Sequence, residues 1–200
     1  AENGKVDSVM LRNCYSQLYK AYTIVQDYKN ALETAKAEYQ VAQDIGILDE
    51  ITMIHLGNAF MRTDSFPQAT KVMLMTEKEN RKHTTVNTPD ILCDMLYYFS
   101  LIKDTLNARL CYTRFANMAE HPLKAQQHIS LGKYFALVGP SDSCTHHFQL
   151  ALEKGDLICK YDACKKLFHL YESTKNLDQA YKYANEFFDI CANLDLGKRQ

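Results

Sequence analysis

The chain has 200 residues and a nearly balanced charge, with 23 lysine and arginine residues against 24 acidic ones. The charges are interspersed, which excludes the basic surface typical of nucleic-acid-binding proteins, and no nucleic-acid contact is expected. The longest apolar runs, such as residues 95–102, are far shorter than the roughly 20 residues that cross a bilayer, so no membrane span is predicted in this segment.

The counts of glycine, proline and cysteine bear on the fold class and the compartment. Seven glycines and four prolines are too few for a protein of many short strands and tight turns, which favours helices. The seven cysteines contain no Cys-x-x-Cys pair, and an odd number cannot all be paired within one chain. Most lie inside apolar helical patterns, so we interpret them as reduced core residues, which favours a reducing compartment.

A repeated pattern runs along the chain. Each copy begins at a leucine or methionine, here called the anchor (position 0), and has Phe or Tyr at +4 and Ala or Cys at +13. A regular spacing of 20 to 50 residues is typical of repeat proteins. Successive anchors are 38, 39, 36 and 36 residues apart, and they are Leu18, Leu56, Met95, Leu131 and Leu167.

Each copy is predicted to form two antiparallel helices. The anchor and the +4 aromatic lie one turn apart on one face of the first helix. The +13 residue belongs to the second helix, and it is small because closely crossing helices leave no space for a long side chain. Five residues after each aromatic come Asp27, Ser65, Asp104, Pro140 and Asn176, four of which are good helix N-caps. The predicted copies form a single array over residues 8–45, 48–82, 88–120, 122–156 and 157–192.

Two copies carry a more specific motif. The segments LGNAFMRTDSFPQA (56–69) and LGKYFALVGPSDSCTHHFQLA (131–151) resemble the tetratricopeptide repeat (TPR) family, in which an aromatic follows a Leu-Gly pair. The other copies depart from the family pattern, since Tyr19, Leu96 and Phe168 replace the glycine. The spacings also exceed the usual 34 residues or so of the family. Divergent repeats and many tyrosines are similar to those of bacterial members.

The resemblance implies an all-α fold, a right-handed α-α superhelix (solenoid) of about five TPR-like hairpins whose first helices line a concave groove. It also implies a non-catalytic scaffold that binds a protein or peptide in that groove. The alternative is the sensory array of a membrane-tethered or DNA-binding bacterial regulator, with signal output from a segment outside this chain. A terminal hairpin normally packs against a cap, so we expect a segment of a longer protein. Localisation, cytoplasmic or extracytoplasmic, and oligomeric state stay open.

The groove-facing positions of the first helices form the predicted binding site. The middle of this set is apolar, which suits contact with a partner. It suits packing against neighbouring helices equally well. Some relatives bind a carboxylate through Lys and Asn where this chain has Ser16 and Lys20, so that ligand is not predicted. The predicted groove residues are Lys20, Ile51, Ile54, Asn58, Met61, Cys93, Tyr97, Ile129, Lys133, Lys165 and His169.

No catalytic, cofactor-binding or metal-binding residue is predicted, and we expect no enzyme activity. The carboxylates lack an accompanying catalytic signature, and no glycine-rich phosphate loop occurs. Cys144, His146 and His147 with His128 come nearest to a metal site, but Cys144 and His128 already occupy packing positions of the repeat. A nucleophilic Cys-His pair formed in space is a further alternative, weakened because the repeat explains most cysteines as core.

Overall fold

The structure is a computed structural model, and it describes residues 2–82, 88–118, 122–139 and 141–198. Within these ranges the regular secondary structure is entirely α-helical, which confirms the predicted all-α class. In the same ranges no helix is both long and apolar enough to cross a membrane. The helices are α1 (Glu2–Ile24), α2 (Tyr28–Asp44), α3 (Glu50–Arg62), α4 (Phe66–Asn80), α5 (Thr88–Leu101), α6 (Thr105–Met118), α7 (Ala125–Val138), α8 (Ser141–Lys154), α9 (Leu157–Ser173) and α10 (Leu177–Lys198).

The helices divide into two compact units, Ala1–Ile91 and Leu92–Gln200. In the first unit α1 packs against α2 and α3 against α4, and α3 also contacts α1 and α2. In the second unit α7 packs against α8 and α9 against α10, while α9 also contacts α7 and α8. Each unit is therefore built from stacked helical hairpins.

Four hairpins share one turn that ends the first helix. The backbone N–H of Asp27 donates to the carbonyl of Tyr22, five residues back, at 2.9 Å. This bond belongs to the Schellman motif, which satisfies a carbonyl at the helix end. Its acceptor is each time the backbone carbonyl of the +4 aromatic, so the first helix ends at the same distance from that residue in the four hairpins. The same bond joins Ser65 to Phe60, Asp104 to Phe99 and Asn176 to Tyr171.

The donor of that bond then caps the second helix. Its side-chain oxygen accepts a hydrogen bond from the backbone N–H of the residue three positions later. Asp27 accepts from Asn30, Asp104 from Asn107 and Asn176 from Gln179. The predicted N-caps are confirmed at these three places. Ser65 makes no such side-chain bond. Pro140, the predicted break of the fourth copy, lies outside the described residues.

The residue before each of these caps has a left-handed backbone. The four are Gln26, Asp64, Lys103 and Lys175, with φ between 56° and 61°. A residue with a Cβ adopts this conformation at a cost of about 1–2 kcal/mol, and glycine is the usual choice. The turn is thus held against local strain by its hydrogen bonds.

The repeat positions account for the packing inside the hairpins. The +13 residues are at most 6% exposed, namely Ala31, Ala69, Ala108, Cys144 and Ala180. Four anchors are buried, but Leu18 is 43% exposed while its neighbour Tyr19 is buried. In this hairpin the buried contact is made by Tyr19, which packs in one cluster with Ala31 and Ala35 of α2.

The residues at +1 and +17 have complementary sizes. Gly57 at +1 faces Met73 at +17, and a Cβ on Gly57 would lie 2.8 Å from the Met73 Cε. Gly132 faces Phe148 in the same way, with 2.6 Å from a Cβ to the ring. Where +1 is large the order is reversed, since Tyr19 and Phe168 are matched by Ala35 and Ala184. One large and one small side chain therefore fill the helix crossing.

The third hairpin is the exception to this rule. It has Leu96 at +1 and Tyr112 at +17, both bulky. The ring of Tyr112 stacks instead on Tyr134 of α7, with centroids 4.5 Å apart and planes at 18°. The bulk at +17 is therefore used for contact with the next hairpin.

We expect Lys175→Gly to raise the free energy of unfolding by up to about 1 kcal/mol, because glycine adopts the left-handed turn without the steric strain of lysine. Lys182→Gly is the matched control: Lys182 is exposed inside α10, and the change should lower stability by about 1 kcal/mol. Urea denaturation measures both. A loss of stability in both variants would contradict the strain assigned to the turn.

We expect Gly132→Ala to lower the free energy of unfolding by about 1–3 kcal/mol, because the new methyl group meets the buried ring of Phe148. Gly57→Ala should cost less, since the end of Met73 can move aside and alanine favours the helix. Thermal denaturation compares the two variants. Equal melting temperatures would show that the glycines do not mark close helix contacts of different rigidity.

Candidate interaction surface

One set of the predicted groove residues keeps solvent access in both units. The +2 positions of the five first helices are all exposed or half-buried, and they are Lys20, Asn58, Tyr97, Lys133 and His169. The adjacent +1 positions carry the buried contacts of the hairpins, so the +2 side chains leave the helix on its open side. Three of these five residues are basic.

Most other predicted groove residues are buried. Ile54, Cys93 and Ile129, all at −2, are at most 4% exposed, and Met61 is 7% exposed. Ile51 is half-buried and Lys165 is exposed. The sequence allows these apolar positions either to contact a partner or to pack against neighbouring helices. For the four buried side chains, Ile54, Met61, Cys93 and Ile129, the burial favours packing.

In the second unit the structure brings Tyr97 and Lys133 together. The Nζ of Lys133 on α7 lies 4.2 Å from the centroid of the Tyr97 ring on α5, a cation-π contact. Tyr97 also packs against the apolar cluster that includes Ile129. The contact therefore links two successive first helices and presents an aromatic ring beside a positive charge.

Lys165 and His169 lie together on α9, one turn apart. They line a mainly apolar groove between α9 and α10, with Phe168, Ala184, Phe187 and Phe188 forming the rest of its walls. The groove has a volume of about 260 Å³. Small-molecule sites usually have about 300–1,000 Å³. The size and the open apolar walls suit a protein side chain better than an enclosed small ligand.

Three cysteine thiols are poorly suited to nucleophilic chemistry. Burial raises the pKa of Cys144 to about 11 and that of Cys164 to about 12. Burial, with smaller effects of Asp156 and Asp162, raises the pKa of Cys159 to about 11. The thiolate is the nucleophile, and at neutral pH these thiols are protonated. Cys164 also donates its S–H to the carbonyl of Tyr183 at 3.1 Å.

Two of the four residues considered for a metal site are in contact. The Nδ1 atoms of His128 and His147 lie 3.0 Å apart, so that one ring donates and the other accepts. Burial, followed by the proximity of His128 and His146, lowers the pKa of His147 to about 4. Among the described residues no group of three His, Cys, Asp or Glu side chains is placed to hold a metal ion.

A buried polar cluster in the first unit was missed by the repeat pattern. Glu38 is fully buried, and its Oε2 lies 2.9 Å from Nδ1 of His55. Thr52 donates its hydroxyl to the other oxygen at 3.5 Å, and the ring of Tyr19 covers His55 with centroids 4.4 Å apart. The cluster joins α1, α2 and α3. The sequence signal for this cluster is the acidic residue Glu38 at +20 of the first copy. The other copies have an uncharged residue there, namely Thr76, Phe115, Ala151 and Phe187.

Comparison with known proteins identifies the fold. No protein-family model matches the chain, and no curated protein matches it by sequence. The crystal structure of BtubC (BKLC) from P. vanneervenii is similar over 98% of this chain and 85% of its own, with a TM-score of 0.64 and 13% identity. The structure MamA MSR-1 C2 is similar over 92% of this chain and 98% of its own, with a TM-score of 0.51 and 13% sequence identity. At this identity the likeness shows the fold alone, a TPR-like helical repeat.

We expect the protein to lose stability between about pH 6.5 and pH 4. His147 has a pKa of about 4 when folded, against 6.5 ordinarily, so the unfolded chain binds more protons in this range and acid favours unfolding. Replacing His147 by Asn, which does not titrate, should reduce this loss by an amount on the order of 1–3 kcal/mol.

Urea denaturation at pH 7.0, 5.5 and 4.5 measures the effect. His147→Phe is a second non-titrating variant that keeps a ring against Phe135, whose plane lies 6° from that of His147. Both variants should show the same weaker dependence on pH. A wild-type pH dependence in both would contradict the assignment to His147.

Proposed function

We propose that this chain is a divergent TPR-type scaffold, without catalytic activity, which binds a protein or peptide segment along its first helices. The observation that carries the proposal is the row of accessible +2 side chains in the second unit, Tyr97, Lys133 and His169, of which Tyr97 and Lys133 are in contact. The Leu-Gly motifs at Leu56 and Leu131 and the TPR-like fold support the family assignment.

The chemistry of this row favours a polar peptide over an apolar one. Tyr97 presents an aromatic ring beside the ammonium group of Lys133. Aromatic residues are enriched at protein interfaces because they combine a large apolar area with little loss of side-chain entropy. Since Ile54, Cys93 and Ile129 are buried, the row has little apolar surface besides Tyr97. We therefore infer a mainly polar partner segment.

The absence of catalysis is part of the same proposal. It is supported by the high pKa values of Cys144, Cys159 and Cys164, which keep these thiols protonated near neutral pH. The Glu38–His55 pair is a weak candidate for acid–base chemistry, because both residues are buried among α1, α2 and α3. A general acid or base has to reach its substrate within hydrogen-bonding distance.

Site-specific photo-cross-linking tests the binding surface. A photoreactive amino acid at Lys133 should cross-link a protein partner in cells that make this protein. The same amino acid at Lys154, which is exposed on the second helix α8 of the same hairpin, should not. Addition of Tyr97→Ala should weaken the cross-link at Lys133, because the ring beside it is lost.

Equal cross-linking at Lys133 and Lys154 would contradict the proposal, and so would a cross-link at Lys133 whose product is only a second copy of this chain. Circular dichroism of the purified variants shows whether each one is folded. Both positions accept a bulky side chain without entering the core, since neither lysine is buried.

A further inference from the structure

A polar cavity lies between the fourth and fifth hairpins, inside the second unit. It has a volume of about 280 Å³ and lies between the first turns of α8 and the last turn of α9. Asp142, His146 and Thr174 in its walls are exposed, so the cavity is accessible from solvent. Its polar lining residues are Asp142, Thr145, His146 and Gln149 of α8 with Tyr171 and Thr174 of α9.

The packing of the repeat does not require this polar lining. Thr145 occupies position +14 of its hairpin, and Tyr171 occupies position +4 of the next one. Between the first two hairpins the same two positions are Leu32 and Phe60, which pack against one apolar cluster. The fourth and fifth hairpins therefore place hydroxyl groups where an apolar contact is sufficient for stacking.

Polar groups of both helices come close together in the cavity. Burial, followed by the proximity of Tyr183, raises the pKa of Tyr171. A hydrogen bond with Thr145 lowers this pKa, and the Asp142 carboxylate adds to the rise. Asp142 and Thr145 of α8 thus lie near the Tyr171 hydroxyl of α9. Gln149 donates its amide N–H to the hydroxyl of Tyr183 at 3.4 Å, which leaves its carbonyl oxygen as an acceptor.

The charge of the cavity favours a cationic occupant. Asp142 supplies a carboxylate, and no lysine or arginine is found among the described residues that line the cavity. Within the described part of the chain Asp142 takes part in no ion pair. The carboxylate and the hydroxyl and amide oxygens around it are hydrogen-bond acceptors, and they belong to two different helices. Such a site suits a cation that carries several N–H donors.

We propose that this cavity binds an arginine side chain of a partner protein. The Asp142 carboxylate pairs with the guanidinium group, and oxygens of Thr145 and Gln149 accept further N–H groups. Arginine presents five donors in a planar fork, whereas lysine presents three around a point charge, so the spread of acceptors favours arginine. A volume of about 280 Å³ suits one side chain, since small-molecule sites usually have about 300–1,000 Å³. The inference goes beyond the proposed function, because the cavity includes none of the +2 residues.

Titration of the whole chain with N-acetylarginine amide, followed by nuclear magnetic resonance, tests the site. This probe represents one arginine residue of a peptide. It should shift the backbone amide signals of Thr145 and Tyr171 with a dissociation constant on the order of 1–10 mM, as expected for a single side chain. N-acetylcitrulline amide, in which an oxygen replaces one nitrogen and removes the charge, should bind at least about tenfold more weakly. N-acetyllysine amide should also bind more weakly, because its ammonium group lacks the planar fork.

Two matched substitutions separate binding from a structural role of the carboxylate. Asp142→Asn should weaken binding of the arginine probe at least about tenfold, because the charged acceptor is lost. Asp178→Asn is the control, since Asp178 also lies at +11 and is exposed in the first turn of its helix, α10, but outside the cavity. Both substitutions remove a carboxylate that favours the start of a helix, so an effect on helix stability is common to them. Circular dichroism should show wild-type helix content for both.

An equal loss of binding in Asp142→Asn and Asp178→Asn would overturn the proposal. So would equal affinity for the arginine probe and either the citrulline or the lysine probe. The absence of saturable shifts at Thr145 and Tyr171 up to about 30 mM of the arginine probe would overturn it as well.

Discussion

The two helices of a hairpin meet at the residues +1 and +17, and the space at this crossing accommodates one large side chain. Phe148 fills it against Gly132, and the fifth hairpin has the reverse order of sizes, with Phe168 at +1 and Ala184 at +17. The small +13 residues, buried in every hairpin, let the helices approach closely enough for this contact. The turn depends on the same approach, because strained residues such as Lys175 are tolerated only where the hydrogen bonds on both sides can form.

The surfaces of the protein follow from this packing. With +1 and the anchor directed inward, the +2 side chains leave the first helix towards solvent, which produces the accessible row that includes Tyr97 and Lys133. A hairpin also buries one side against its predecessor and another against its successor.

The repeats and the helix caps could be predicted because they depend on local patterns. Anchors at a regular spacing indicate the hairpins, and Asp27, Asp104 and Asn176 indicate where second helices begin. The left-handed turn residues could not be predicted, since Gln26 and Lys103 carry no signal for that conformation. The candidate site was predicted in part. The exposure of −2 residues such as Ile129 depends on neighbouring hairpins, and the partner of the buried Glu38 lies 17 residues away.

A double-mutant cycle on the fourth hairpin measures most directly whether the side chains at +1 and +17 are matched in size. Gly132→Phe and Phe148→Ala together convert its pair into the Phe-Ala arrangement of the fifth hairpin. Each single variant should be strongly destabilised. The double variant should lose less free energy of unfolding than the two single losses added together, by at least about 2 kcal/mol. Losses that simply add in the double variant would contradict it.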